Sequence, residues 1–177
     1  MNGIGRIAAI GMSLALLASC ATPASREGTA ITERAPGKPI AGTVSVETRG
    51  GAETDGLASA NIADADFKAA IESSIVKSSL FKSVVPGKGG DYELSVVVSQ
   101  LSKPLFGANF KVDMETGWSL VKAADKSVVM RKVIKSSHTA TMGDAFAGVT
   151  RLRLAVEGAA RNNISLGLQA IAELGLR

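Results

Sequence analysis

Hydrophobic and polar positions divide the chain into stretches of different period. An uncharged, mainly apolar run from Ile7 to Leu17 opens it. Ala21 to about Ala41 follows, rich in Thr, Ala, Pro, Ser and Gly, with Pro23, Pro36 and Pro39 along it and no apolar periodicity, which predicts a disordered tether. Strict alternation begins at Thr43-Val44-Ser45-Val46-Glu47, apolar on even positions, and predicts a strand; Arg49 to Gly56 is a polar, Gly-rich exit. From about Ala63 to Leu80 the period changes to three and four. Phe67, Ala70, Ile71, Ser74, Ile75 and Ser78 share one helical face, with Asn61 or Asp64 as the expected N-cap. Val85-Pro86-Gly87-Lys88-Gly89-Gly90 stops any helix.

Alternation then returns. Tyr92, Leu94, Val96 and Val98 make the apolar face of one predicted strand, and Phe110, Val112, Met114, Thr116, Trp118 and Leu120 that of the next. This pattern puts Trp118 in the core with Phe110, Val112 and Met114. A third strand runs from Val128 to about Thr139, with its alternation muddled at Lys132 and Val133, where a bulge is expected. Thr141-x-x-Asp144 has capping-box character ahead of a long helix. Its stripe is Val149, Leu152, Val156, Ala160, Ile164, Leu168, Ile171 and Leu174, and Gly148 and Gly158 are its expected kink points. The order strand, helix, three strands, helix predicts an α+β fold: a two-layer sandwich with about four mainly antiparallel strands and two helices packed on one face.

The N-terminal run changes meaning once its flanks are read. Arg6 gives it a weakly basic start, and Leu17-Ala18-Ser19-Cys20 ends it with the single cysteine of the sequence. An apolar residue, two small residues and a cysteine form the pattern of a bacterial lipobox. Ala18 and Ser19 are small because a signal peptidase must grip the backbone ahead of the cut, and Leu17 fits an apolar pocket. Cys20 is obligatory because only a thiol can carry the thioether-linked diacylglycerol. Acylation of the new amino group, by palmitate for example, would bring the anchor to about three chains, beyond the one-chain limit of marginal binding. The competing reading makes Cys20 an ordinary thiol after a secretory signal or a membrane span, but the run is shorter than the ~20 residues a span needs. The expected organisation is a removed leader at 1–19, a lipidated cysteine and tether at 20–41, and one domain at 42–177. As a flexible coil the tether would hold that domain roughly 25 Å clear of the lipid. Ala21 stands where aspartate retains enterobacterial lipoproteins in the inner membrane. The expected address is therefore the cell envelope, on the inner leaflet of the outer membrane, facing the periplasm.

Charge adds little. The sequence has 20 basic and 16 acidic residues. Loss of Arg6 with the leader leaves 19 against 16, a net charge of +3, too small to argue for nucleic acid. With Cys20 lipidated no thiol is left for a disulfide or a thiolate metal site, and His138, the one histidine, excludes multi-histidine metal sites. A Ser-His-Asp triad would have to use His138, which reads instead as an exposed residue at a sheet end. Asp113 and Glu115 share a strand face but read as solvated carboxylates beside Lys111 and Ser119. Lys88 among glycines lacks Walker spacing, and Gly3-x-Gly5-x-x-Ala8 lies in the leader, so neither counts as a nucleotide motif. Arg153, Glu157 and Arg161 read as a surface charge row. No catalytic residue, metal or cofactor is expected beyond the covalent lipid.

One loop breaks the polar rule for loops. Lys103-Pro104-Leu105-Phe106-Gly107-Ala108 joins two strands yet carries two large apolar residues, so Leu105 and Phe106 are the candidate contact surface. The competing expectation, which the sequence favours, is that both fold back and cap the sandwich.

The lipobox, the tether, Ser78-Ser79-Leu80-Phe81, Asp91-Tyr92-Glu93-Leu94 and the segment Thr139 to Phe146 together resemble small bacterial envelope lipoproteins, with an architecture similar to the lipopolysaccharide-assembly lipoprotein and related accessory lipoproteins. That resemblance implies fold and location more than a pathway. The expected role is a non-enzymatic, membrane-anchored assembly or scaffold factor that touches the bilayer through Cys20 and an envelope protein through its surface. The alternative is an auxiliary lipid-binding subunit of an envelope lipid transport system, which would need an apolar groove between helices and sheet.

Overall fold

The computed structural model describes residues 22–33, 39–54 and 60–176. Their elements are α1 (Arg26–Thr29), β1 (Ile40–Arg49), α2 (Asp64–Ser78), β2 (Phe81–Val84), β3 (Tyr92–Ser102), β4 (Phe110–Lys122), β5 (Val128–Ala140) and α3 (Gly148–Ala172). The strands form one sheet in the order β2-β1-β3-β4-β5. β1 is parallel to both β2 and β3, and β3, β4 and β5 form an antiparallel meander. The α+β class and the meander agree with the sequence. The sheet has five strands rather than four and is mixed rather than mainly antiparallel, and three helices stand where two were expected.

The added strand explains the mixture. Ser79 takes a left-handed conformation (φ 54°) and ends α2, and its successor Leu80 leads straight into β2. Because β1, α2 and β2 form a strand-helix-strand crossover, β2 lies parallel to β1, as such a connection allows. The chain then returns over β1, since Val84 and Tyr92 both pair with Val44 from opposite sides. Gly90 makes that crossing possible, because a Cβ there would stand 2.7 Å from the Ser45 nitrogen.

The inner face follows the alternation. Val44, Val46, Leu94, Val96, Val112, Met114, Trp118 and Leu120 are buried from the sheet side, and Phe67, Ile71, Ile75, Val156, Ile164, Leu168 and Ile171 from the helices. Trp118 is fully buried, and its indole N–H donates to Thr116 Oγ1 at 2.8 Å and to Asn163 Oδ1 at 3.2 Å. Asn163 in turn donates to the Ile134 carbonyl at 3.2 Å, so a polar group at the centre of α3 is satisfied on both ends. The glycines of α3 serve close approach. A Cβ on Gly167 would lie 2.5 Å from Trp118, and one on Gly158 2.1 Å from His138. The irregularity in β5 falls between the partners of Leu120 and Val121, at Val129, and not at Lys132 and Val133. Lys132 instead sits opposite Trp118 on the helix side of an edge strand, where its head reaches water.

Candidate functional site

Three chain segments meet at one end of the sheet. The β3–β4 hairpin closes there, with Ser102 paired to Asp113. Phe110, the first residue of β4, pairs with Ala140, the last of β5, so the loop leading to α3 starts at the same end. The turn from β1 to α2 lies there too, because Lys103 Nζ donates to the Ala60 carbonyl at 3.2 Å and to Asn61 Oδ1.

Leu105 and Phe106 project from this end at 94% and 86% exposure. They do not fold back over the core, which corrects the reading favoured by the sequence. Phe146, at 89%, and Met142, at 52%, stand out from the neighbouring loop. Both lie where the sequence pattern pointed to the start of a capped helix, but α3 begins only at Gly148. The residues of the expected capping box close a separate turn, in which Asp144 Oδ2 accepts from the Thr141 N–H at 2.7 Å and its hydroxyl at 2.8 Å. Those bonds hold the Asp144 carboxyl below its ordinary pKa. Arg151 fixes the rest of the loop. Its guanidinium lies over the Phe110 ring, 5.4 Å from the centroid, and donates to the carbonyls of Ala145 (2.9 Å) and Phe146. A buried cation therefore holds the backbone from which Phe146 points into solvent. The signal that could have found Met142 and Phe146 is akin to that of Leu105 and Phe106: large apolar residues among small and polar ones in a short connection.

The chain reaches this end from its N-terminal side as well. Residues 22–33, within the expected tether, are docked on the domain: Ala24, Thr29 and Ala30 are buried, and Ser25 caps the single turn of α1. The Ala24 N–H donates to the Asn61 carbonyl at 3.2 Å, beside Lys103. Glu157 is buried rather than part of a surface row. It accepts from the Ser25 N–H at 2.8 Å and pairs with Arg153 at 3.3 Å, while Arg161 donates to the Gly28 carbonyl at 2.8 Å. Arg153, Glu157 and Arg161 thus form a clamp on the N-terminal segment, a role invisible at helical spacing because its partner lies more than a hundred residues away in the sequence. Leu17, Ala18, Ser19 and Cys20 lie outside the described residues.

Other candidate residues have ordinary surroundings. His138 is half-buried against Gly158, on the helix side of β5 and not free at a sheet end. Asp113 pairs with Lys111 at 3.0 Å. Glu115 pairs with Lys135 at 2.8 Å, which lowers the carboxyl pKa and raises that of the ammonium. The depressions beside β5 and α3 are lined largely by polar side chains, including Asp113, Lys135, Ser137, Asn162 and Ser165. No described helix is long and apolar enough to cross a membrane.

No family model and no curated protein matches the chain. Solved structures do. Protein XCC0632 from Xanthomonas campestris, of family model DUF330, superposes with a TM-score of 0.64 at 15% identity, covering 83% of this chain and 93% of its own. The PelC dodecamer from Paraburkholderia phytofirmans gives 0.52 at 14% identity, over 80% and 93%. The hypothetical protein CT253 from Chlamydia trachomatis gives 0.51 at 8% identity, over 76% and 95%. At these identities the likeness is one of fold, held by proteins from several bacteria.

Proposed function

We propose that the chain is a bacterial envelope lipoprotein, anchored by lipid on Cys20 at the inner leaflet of the outer membrane, and that it acts without catalysis as an assembly or scaffold factor through protein contacts. The observation that carries this reading is the lipobox Leu17-Ala18-Ser19-Cys20 ahead of an α+β domain whose interior is filled by side chains. The resemblance to the lipopolysaccharide-assembly lipoprotein and related accessory lipoproteins supports it. Trp118, Phe67, Ile71, Leu94, Leu120 and Ile164 occupy the space between helices and sheet. That space is where an auxiliary lipid-binding subunit would carry its groove, so the scaffold reading is preferred. Against catalysis stand the ion pairs of Asp113 and Glu115 with lysines and the packing of His138 against Gly158. PelC assembles as a dodecamer, so copies of this chain belong among the proteins it could contact.

Since lipid is attached only through Cys20, Cys20→Ala should abolish incorporation of a radioactive fatty acid; label persisting on the variant refutes the lipobox. Crosslinking of the wild-type chain in intact cells should give discrete protein adducts, and adducts with lipid alone would favour the transport reading.

A further inference from the structure

We propose that the end of the domain bearing Leu105, Phe106, Met142 and Phe146 is seated in the lipid interface of the membrane that holds the anchor, so that the domain lies against the bilayer instead of hanging from a tether. The inference rests on the lipid anchor proposed above and adds the surface that faces the lipid.

The first argument is where the chain leaves the domain. Ala24 is bonded to Asn61, which Lys103 also engages, and Lys103 begins the loop carrying Leu105 and Phe106. Glu157 and Arg161 hold the following residues on α3, so the N-terminal segment is fixed at this end. Cys20 stands four residues before Ala24, the first residue bonded to this end, and four residues reach at most about 14 Å, far less than the length of a 13-residue strand. The headgroup layer on each side of a bilayer is itself roughly 5 to 8 Å deep. A lipid on Cys20 therefore brings this end of the domain, and no other, to the headgroups.

The second argument is what that end displays. Four large apolar side chains stand out from two loops, Leu105 and Phe106 almost fully. The charges in the same loops are engaged locally: Lys103 with residues 60 and 61, and Asp144 with Thr141. Burial of the tip in the interface therefore leaves neither charge without a partner. Arg151 and Asp144 brace the second loop, so Phe146 is presented by a backbone already in place, and little ordering cost is left for contact. An apolar surface tied this close to lipid meets it at a far higher effective concentration than any diffusing partner.

The test uses the full-length lipidated protein in vesicles of phosphatidylethanolamine and phosphatidylglycerol. Lipidation consumes the one native thiol, so Phe106→Cys, Phe146→Cys and, as control, Lys88→Cys in the β2–β3 loop at the other end each offer a single site for an environment-sensitive fluorophore. Labels at 106 and 146 should shift to the blue and lose emission to nitroxide-bearing lipids, while the label at 88 does neither. Labels at 106 and 146 that behave like the one at 88 overturn the proposal. In intact cells, a photocrosslinker at 106 that forms a discrete protein adduct in place of lipid overturns it too, giving the surface to a protein partner. The mass of the mature chain reads the anchor separately. A lipidated chain with unshifted labels refutes only the membrane seating, and an unlipidated chain refutes both.

Discussion

Phe106 and Trp118 belong to one hairpin, yet one is 86% exposed and the other fully buried. Around Trp118 every requirement is met internally: the ring packs against the cleft left by Gly167, and its N–H is shared by Thr116 and Asn163. Around Phe106 the loop is tied at its base, where Lys103 reaches residues 60 and 61, but the apolar side chains have nothing over them. The difference separates two uses of hydrophobic residues. In the core they hold the fold together; at the tip they add nothing to it within the chain, and large exposed apolar groups on a fixed frame mark a surface meant for something else.

That comparison breaks most readily at the core. Trp118→Ala removes a fully buried ring and the indole donor shared by Thr116 and Asn163, whose own bond to each other remains, so it should cost about 3 to 5 kcal/mol. Chemical denaturation followed by circular dichroism measures this. In the wild-type protein the same residue should give blue-shifted emission, and emission like that of indole in water would mean the wrong face of β4 had been placed inside.

The clamp lies between the two extremes. Glu157→Ala takes the acceptor from the Ser25 N–H and the partner from Arg153, at an expected cost of about 1.5 to 3 kcal/mol, the worth of a hydrogen bond to a charged group. Amide hydrogen exchange should show protection lost over residues 25–31 while β3 and β4 remain protected. If exchange accelerated uniformly instead, the N-terminal segment would be part of the cooperative core and not a strap fastened to it.

The split between these regions also explains what could be read in advance. Period-two alternation in Tyr92–Val98 and Phe110–Leu120 betrays the meander because each strand buries one face only, and the α3 stripe is legible for the same reason from Val156 to Ile171, whereas Val149 and Leu174 at its ends are exposed. β2 was not legible: it has four residues, of which only Phe81 is buried, and it is recruited by β1 rather than by its own pattern. The docked N-terminal segment leaves no trace in the pattern, because small residues such as Ala24 and Ala30 bury without apolar periodicity, on partners distant in sequence. At the candidate site, Leu105 and Phe106 announced themselves as oddities in a loop, but their exposure depends on how the hairpin is tied to residues 60 and 61, which alternation cannot encode. Met142 and Phe146 read as part of a helix start because Thr141 and Asp144 fit a cap; those two residues close a separate turn, and the helix begins later.

The smallest expected effect is the most telling. Leu105→Ser combined with Phe106→Ser alters two of the largest apolar side chains of the hairpin, and the melting temperature of the folded chain in solution measures directly whether they belong to the core or to a contact surface. Exposed substitutions change stability by less than about 0.5 kcal/mol each, which for a chain of this size keeps the shift below about 4 °C. A loss of about 4 kcal/mol or more, the cost of emptying two buried sites, would drop the melting temperature by roughly 8 °C or more, return both residues to the core and contradict the account.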